Sequence, residues 1–251
     1  MTLRLDVLGC SGSGPAPGVP ASGYLVRSEK AAIWMDAGTG TFMELAKRLD
    51  PAELTAITIS HLHADHSVDF LGFFHYVAYR NRPPRPIPVF LPPGGIARFA
   101  DYLDAGAGHA FWEVFDLAEI VDPVVHAVAD VEIRFGLGRH SVPSIVVRVD
   151  SGGSSLVFSG DTGPGGALPE FAGDADVLLC EAGRNESDAD EGPQHHLSGA
   201  DAGRIAAEAG VRRLILTHLA PTLLADDIRA AAAAEYPGPI VLAKPGLQVA
   251  V

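Results

Sequence analysis

The segment from residue 61 to residue 66 (HLHADH) places four potential metal ligands within six residues. It follows a run rich in β-branched residues (TAITIS), which predicts a buried strand. Residues i and i+2 of an extended segment point the same way, so His61 and His63 can bind one ion. Asp65 and His66 come after a turn, where they can reach a second ion close by.

Three further residues of ligand type also follow apolar strand patterns: His140, Asp161 and His218. Neutral imidazole and carboxylate groups suit Zn²⁺, with Mn²⁺ or Fe as alternatives. Paired metal ions that share an oxygen are typical of hydrolases. The residues therefore predict a metal-dependent hydrolase with two metal ions. The remaining isolated histidines have no partner at ligand spacing and are interpreted as surface or core residues: His75, His109 and His126.

Strands that end at the candidate ligands alternate with helical patterns along the chain. The clearest strand patterns are Leu3 to Val7, Val131 to Phe135, Ile145 to Val149, Leu156 to Ser159, Val177 to Cys180 and Leu214 to Thr217. Helical patterns cover Phe42 to Leu49, most of Phe70 to Asp116, Ala200 to Ala209 and Asp226 to Glu235. We expect an α/β fold of two similar halves, with two sheets face to face, helices outside, and one domain over residues 1–251.

Composition narrows the function classes. The net charge is −13, and the basic residues are scattered apart from a short stretch at Arg80 to Arg85, which argues against a large nucleic acid as substrate. No run of about 18 apolar residues occurs, so no membrane span is expected. The start of the chain is typical of a strand and not of a signal peptide. With only two cysteines, a reducing cytoplasm is the expected location.

Five short segments resemble motifs of the metallo-β-lactamase-fold superfamily and occur in that family's order. They are HLHADH at 61–66, GRHS at 138–141, SGDT at 159–162, HLSG at 196–199 and LTHL at 216–219. The resemblance implies an αββα sandwich with two bound metal ions. It places one ion on His61, His63 and His140. It places the second on Asp65, His66 and His218, with Asp161 bridging both.

Several details of the resemblance favour its phosphodiesterase branch, which includes tRNase Z and atypical cyclic-nucleotide phosphodiesterases. β-Lactamases of this fold lack the bridging aspartate that Asp161 matches. Glyoxalase II-like thioesterases usually take the last histidine from an added helical region, whereas His218 follows a strand. The segment His196-Leu197-Ser198, which comes directly before a predicted helix, resembles a motif of the phosphodiesterases. The tRNA-gripping arm of tRNase Z lies between the residues matching His140 and Asp161, where this chain has only residues 141–160.

The resemblance thus implies hydrolysis of small phosphodiesters such as cyclic nucleotides, through attack of a metal-bridging hydroxide. The alternative is hydrolysis of a thioester, lactone or sulfate ester on the same metal core, and tRNA 3′-processing ranks below both. Asp65 would also orient the hydroxide. His196 would hydrogen-bond a phosphoryl oxygen or protonate the leaving alkoxide, unless it only caps the helix; His195 is less suited to this role.

The surroundings of the site are less well specified by the sequence. We expect two Zn²⁺ ions per chain, a small-molecule substrate, no large nucleic acid and no membrane. The resemblance implies a homodimer, whose interface we assign to the apolar, Pro-rich stretch Pro83 to Gly95. The loop Ser11 to Ser22 and the helix Phe70 to Tyr79 are expected to line the pocket. The aromatic side chains of that helix either stack a nucleobase or belong to the core: Phe73, Phe74, Tyr76 and Tyr79.

Overall fold

The first sheet is built from short strands whose residues are mostly apolar and buried. The computed structural model describes residues 3–103, 105–187 and 194–251. In chain order the strands of this sheet are β1 (Arg4–Gly9), β2 (Gly23–Arg27), β3 (Ala32–Met35), β4 (Ala56–Thr58), β5 (Ile87–Leu91), β6 (Phe115–Glu119) and the C-terminal β14 (Gln248–Ala250). The last strand pairs with β1, so the spatial order is β14-β1-β2-β3-β4-β5-β6.

The second sheet is formed by the other half of the chain. Its strands are β7 (Val124–Val128), β8 (Val131–Leu137), β9 (Ile145–Ser151), β10 (Ser154–Phe158), β11 (Val177–Glu181), β12 (Leu214–Thr217) and β13 (Ile240–Leu242). They lie in the order β13-β12-β11-β10-β9-β8-β7.

The two sheets share one pairing pattern. In the first sheet β1, β2 and β3 are antiparallel neighbours, and β3 to β6 are parallel. In the second sheet β7 to β10 are antiparallel neighbours, and β10 to β13 are parallel. The two similar halves predicted from the sequence are therefore present. In each half the parallel strands end at one edge of the sheet, where loops can carry functional groups.

Helices cover the outer face of each sheet. They are α1 (Thr41–Leu45), α2 (Ala64–Ser67), α3 (Asp69–Tyr79), α4 (Gly95–Tyr102), α5 (Ala105–Val114), α6 (Leu168–Phe171), α7 (Gly199–Glu208) and α8 (Ala225–Glu235), with a 3₁₀ turn at Pro51–Glu53. The predicted αββα sandwich is confirmed, because one apolar core lies between the sheets and one lies under each helical layer. Across the central core, the rings of Tyr24 and Phe158 lie 5.1 Å apart.

The structure corrects several boundaries. The helical pattern of Phe42 to Leu49 yields only the short helix α1 followed by turns. The region Phe70 to Asp116 ends in strand rather than helix, since β6 begins at Phe115. The edge strand β7 was not anticipated: its sequence, VVHAV, does not alternate between apolar and polar residues, and three of its five residues are exposed.

The aromatic face of α3 belongs to the core and does not line the site. Phe73 and Phe74 are fully buried under the first sheet's helical layer. Tyr76 packs partly buried against that core, with its ring 5.6 Å from that of Phe42. Tyr79 is 59% exposed at the end of the helix. The expectation that this helix lines the pocket is therefore wrong for its apolar face.

Most apolar residues of the stretch Pro83 to Gly95 are also inside the fold. Ile87, Val89 and Leu91 are buried in β5, which has strands on both sides. Only residues 84–86 and 94 of this stretch are exposed. The homodimer stays a prediction, and its interface cannot use the buried side chains of β5. Among the described residues, no helix combines the length and apolar character that crossing a membrane requires.

Candidate metal centre

The predicted ligands meet at the edge where the parallel strands of both sheets end. His61 lies three residues after β4, and Asp161 lies three residues after β10. His140 lies three residues after β8, and His218 directly follows β12. Both sheets present their strand ends on the same side, so loops that are far apart in sequence place these side chains together.

The first ligand group contains His61, His63, His140 and Asp161, whose donor atoms all lie within 4.8 Å of one another. His63 Nδ1 lies 3.0 Å from His61 Nε2 and 3.2 Å from His140 Nε2. Asp161 Oδ2 lies 3.6 Å from His61 Nε2. Nitrogen ligands placed tetrahedrally around Zn²⁺ are about 3.3 Å apart, given bonds of about 2.0–2.1 Å. The spacing of the three imidazole nitrogens is close to that requirement.

The second ligand group contains Asp65, His66 and His218, and α2 carries the first two. Asp65 Oδ2 lies 3.3 Å from His218 Nε2 and 3.6 Å from His66 Nε2. Asp161 faces this group as well, because its Oδ1 lies 3.3 Å from His66 Nε2 and its Oδ2 lies 3.3 Å from His218 Nε2. Asp161 thus stands between the two groups, which is the position of a bridging ligand.

Unpaired buried atoms at the centre fit a pair of cations. His66 Nε2 and Asp161 Oδ1 are buried and have no hydrogen-bond partner within the described residues. Leaving such atoms unpaired is costly unless another group satisfies them. The donor set consists of imidazole nitrogens and carboxylate oxygens, which suits Zn²⁺, Mn²⁺ or Fe. The residues therefore fit two metal ions with Asp161 between them.

The carboxylates keep the ionised form that binds metal. Burial raises the pKa of Asp161, but the histidines around it, above all His218 and His66, outweigh burial and hold this pKa below its ordinary value. Burial also opposes ionisation of Asp65, yet the hydrogen bond from His218 and nearby histidine charge lower its pKa to about 2. Burial disfavours charged His66, while Asp161 and Asp36 outweigh it and raise the His66 pKa to about 9. Protons on histidine thus balance the carboxylates in the metal-free protein.

A buried carboxylate, Asp36, orients one histidine in each group. His66 Nδ1 lies 2.7 Å from Asp36 Oδ2 and must donate to it, because an ionised carboxylate only accepts. Ser60 Oγ donates its single proton to the same oxygen at 2.7 Å. Ser60 Oγ therefore accepts from His61 Nδ1, which lies 3.1 Å away. Both histidines carry a proton on Nδ1, so Nε2 is the ring atom that faces the centre and is available to a metal ion.

His140 is oriented in the same manner by a backbone carbonyl. Its Nδ1 donates to the carbonyl oxygen of His195 at 2.8 Å, which leaves Nε2 free to face His63. His195 therefore contributes its main chain to the centre, and its side chain is exposed.

His196 stands beside the second group and is held by a buried glutamate. Its Nδ1 lies 3.1 Å from both carboxylate oxygens of Glu181, and its ring stacks on His218 with centroids 5.5 Å apart. Burial opposes its charged form, but Glu181 outweighs burial and raises the His196 pKa to about 9. His196 does not cap α7, since Ser198 does so with Asp201. A third ligand combination of Asp161, His196 and His218 is within reach, but it competes with the Glu181 contact.

Comparison with known proteins identifies the family. A model described as the Beta-lactamase superfamily domain matches residues 22–219. The chain belongs to this superfamily. The match spans all seven predicted ligands and His196, and with the cluster of histidines and aspartates it makes the chain a metal-dependent hydrolase of the superfamily. The resemblance stated from the sequence motifs is confirmed.

Relatives extend over nearly the whole chain. The uncharacterized protein ML1173 of Mycobacterium leprae (strain TN) is 40% identical over 249 residues, which cover 96% of this chain and 86% of ML1173. Ribonuclease Z of Mycolicibacterium paratuberculosis is 30% identical over 267 residues, covering 96% of this chain and 95% of the relative. The probable metallo-hydrolase YhfI of Bacillus subtilis is 28% identical over 249 residues, covering 97% and 98%.

Solved structures share the fold of this chain. The crystal structure of YhfI matches with a TM-score of 0.88 at 24% identity, covering 99% of this chain and all of YhfI. Human tRNase Z, short form, matches with a TM-score of 0.78 at 20% identity, covering 98% of each chain. Unliganded yeast PDE1 matches with a TM-score of 0.76 at 13% identity, covering 100% of this chain and 99% of PDE1.

Sequence reasoning missed three residues of this superfamily site: Asp36, Ser60 and Glu181. A usable signal existed for two of them. Asp36 and Glu181 are acidic residues at the ends of apolar strands, the same setting that marked Asp161.

The three histidines interpreted from the sequence as surface or core residues lie apart from the centre: His75 packs on Tyr79, His109 pairs with Glu113, and His126 packs on Phe90.

Proposed function

We propose that this protein is a dinuclear phosphodiesterase that cleaves small phosphodiesters such as cyclic nucleotides. In this proposal the two ions are Zn²⁺. One is held by His61, His63 and His140. The second would be held by Asp65, His66 and His218, with Asp161 between the two ligand groups. The donor set, its spacing and its unpaired buried atoms support these assignments.

The observation that carries the proposal is the His196–Glu181 pair. Glu181 is fully buried and fixes His196 through Nδ1, and the side chain of His196 keeps 31% of its surface exposed beside the second ligand group. The other ring nitrogen is thus available to a substrate. A histidine held in this way by a carboxylate is suited to donate a proton to a leaving group.

The leaving group decides between the candidate reactions. A thiolate leaves without help, because thiols have a pKa of about 8.5. An alkoxide is far more basic, comparable to hydroxide from bulk water with a pKa of about 15.7, and it needs a proton as it leaves. A dedicated proton donor therefore favours diesters over the thioesters of the alternative hypothesis. It does not by itself separate diesters from lactones or sulfate esters.

The chain's own residues then divide the work. Bound metal ions would supply a nucleophilic hydroxide and neutralise charge that develops on the phosphoryl oxygens. Asp65 keeps an ionised oxygen between His66 and His218, where it orients the attacking group. His196 donates its Nε2 proton to the leaving oxygen, or a hydrogen bond to a phosphoryl oxygen. Glu181 holds the ring throughout and stabilises its positive charge.

A long nucleic acid is a less suitable substrate. Where the tRNase Z resemblance would place its arm, this chain has β9 and β10 joined by the turn Gly152-Gly153. Both glycines have positive φ, as a tight hairpin turn requires. The net charge of −13 also opposes binding to a polyanion. We therefore rank tRNA 3′-processing below cleavage of small diesters.

A substrate panel tests the proposal. Zinc-loaded protein is assayed with bis-p-nitrophenyl phosphate, cyclic AMP, S-lactoylglutathione, nitrocefin and a precursor tRNA. We expect turnover of the first two. Fast turnover of S-lactoylglutathione without any diester cleavage would overturn the proposal.

Substitution of His196 tests the role of the proton donor. We expect His196→Ala to lower kcat for cyclic AMP, whose leaving group is an alkoxide, by about 10²–10⁴-fold while zinc content stays unchanged. His195→Ala is the matched control, because His195 orients His140 through its backbone carbonyl, which alanine keeps, and its exposed ring only packs edge-on against His140 at 6.1 Å; we expect it to keep activity. Loss of zinc in His196→Ala would instead identify His196 as a ligand.

We also propose that the protein works in the cytoplasm as a homodimer on a small-molecule substrate. The two cysteines, Cys10 and Cys180, are buried and free, which suits a reducing compartment. Light scattering on the zinc-loaded protein tests the dimer, and a monomeric mass at micromolar concentration would contradict it.

A further inference from the structure

The backbone of His218 is strained, and something must hold it. Its φ is +56°, in the left-handed region, which is unfavourable for a residue with a side chain. Such a conformation persists only when neighbouring groups fix it. The peptides on either side are bound, since Gly12 N–H donates to Leu219 O at 3.1 Å and Ala182 N–H donates to Thr217 O at 3.0 Å.

Gly12 approaches this turn so closely that only glycine fits. A Cβ at Gly12 would overlap the His218 carbonyl, lying 2.9 Å from its carbon and 3.1 Å from the amide nitrogen of Ala220. The obstacles are main-chain atoms, so they cannot move aside as a flexible side chain would. Gly12 therefore forms one wall of the turn that presents His218 to the second ligand group.

The segment that follows Gly12 holds the other two ligands of the same group. Ser22 N–H donates to Asp65 O at 3.2 Å, and Ala37 N–H donates to His66 O at 2.7 Å. Gly38 N–H donates to Ser22 O at 2.9 Å, which ties these contacts together. A Cβ at Gly38 would lie 2.8 Å from the Asp65 carbonyl carbon and 2.7 Å from Ser22 O.

The first ligand group is held by other parts of the chain. Ile145 N–H donates to Ser60 O at 2.9 Å, next to His61. His140 is fixed by the carbonyl of His195 and by Gly163 N–H, which donates to the carbonyl of the preceding residue at 2.6 Å. These contacts come from the second sheet and its loops. His61 and His140 thus have main-chain supports separate from those of the second group, whereas His63 is joined to α2 because His66 N–H donates to His63 O at 3.0 Å.

We propose that Gly12, Ser22, Ala37 and Gly38 form an N-terminal clamp that sets the metal affinity of Asp65, His66 and His218 separately from that of the first group. The inference rests on the proposed function only in that both groups bind metal ions. Gly12 and Gly38 are positioning residues: they touch the ligands' main chain and not the reacting atoms. Shifting the clamp moves three ligands of one ion and leaves His61 and His140 of the other group in place.

Zinc stoichiometry of glycine variants tests the clamp. Gly12→Ala and Gly38→Ala are equilibrated in chelator-buffered zinc at a free concentration where the wild type holds two ions per chain. We expect each variant to hold about one ion and to need about 10–100-fold more free zinc to recover the second. Two ions at the wild-type free zinc concentration, or joint loss of both, would overturn the proposal.

Two controls separate the clamp from general destabilisation. Gly72→Ala adds a methyl group in open space on α3 and should keep two ions. Gly203→Ala forces α7 against α8, with its Cβ 3.0 Å from the Cα of Ala232, and should lower the melting temperature while keeping two ions. Loss of one ion in Gly203→Ala as well would show that the clamp has no specific role.

Hydrogen exchange in the wild type gives a test that needs no variant. Binding at a site stabilises the contacts that shape it. Zinc loading should therefore slow exchange at the amides of Gly12, Ser22 and Ala37, and unchanged exchange at all three would contradict the clamp. Metal content and diester cleavage are measured separately. Failure of the diester assay with the expected zinc stoichiometries would refute the proposed function and support the clamp.

Discussion

Replacing Asp36 by Asn tests how the metal centre is held. Three donors converge on this buried carboxylate: the Ser60 amide at 2.6 Å, and Ser60 Oγ and His66 Nδ1 at 2.7 Å. An amide side chain offers one accepting oxygen and one NH₂ group, so at least one donor is left facing another donor. Asn also tolerates the left-handed φ of +58° at this position, so the change isolates the hydrogen bonds.

The expected magnitude follows from those contacts. A hydrogen bond to a charged group contributes about 1.5–3 kcal/mol. Loss of a partner that orients a ligand typically weakens metal binding by about 10–100-fold, which corresponds to about 1.4–2.8 kcal/mol. Unlike the clamp variants, Asp36→Asn should weaken both groups, directly through His66 and through Ser60 to His61.

Competition with a chromophoric chelator measures both zinc affinities. Asp6→Asn is a matched control, because Asp6 is equally buried but pairs with Arg4, Arg27 and Gln248 instead of any predicted ligand. We expect the control to lose stability and keep its zinc affinity. A folded Asp36→Asn protein that binds two zinc ions as tightly as the wild type would refute the argument.

Three further predictions concern stability. The folded-state pKa of His66 is about 9 in the metal-free protein, above its ordinary value, so its contribution to folding stability is complete below pH 6.5 and is lost as pH rises through 9. The melting temperature of chelator-treated protein should therefore fall over that window, whereas that of zinc-loaded protein should not. A melting temperature that rises with pH in the absence of metal would contradict this. Tyr24→Phe removes a buried 2.6 Å hydrogen bond to Thr217 and should lower the free energy of unfolding by about 1–3 kcal/mol in urea; no change would show that this contact between the sheets is unimportant. Phe74→Ala should lower the free energy of unfolding by about 3–5 kcal/mol without raising KM for diesters. A raised KM with unchanged stability would instead support stacking of a nucleobase on α3.

The predicted ligands could be named from the sequence because His61, His140, Asp161 and His218 each follow an apolar strand, and the others come within five residues of His61. His61, Asp161 and His218 combine two signals, strand periodicity and ligand chemistry, and the motif order adds a third. The layer architecture followed from the same strand and helix patterns. Both kinds of inference depend on local sequence, and tertiary contacts did not overturn them.

The groups that orient the ligands depend on contacts that no local pattern shows. Asp36 acts on His66 across 30 positions, and His195 acts through its carbonyl group, whatever its side chain. Gly12 matters because His218 comes close to it in the fold. The sequence of α3 likewise does not show whether its apolar face packs on the sheet or lines a cleft. The burial of Phe73 and Phe74 shows that it packs on the sheet.

The most direct test of the account is a zinc-edge anomalous difference map from crystals of the zinc-loaded protein. We expect two strong peaks per chain, one among His61, His63 and His140 and one among Asp65, His66 and His218, with Asp161 in contact with both. A map at saturating zinc with no peak between these side chains would contradict the metal centre and the hydrolytic function proposed for it.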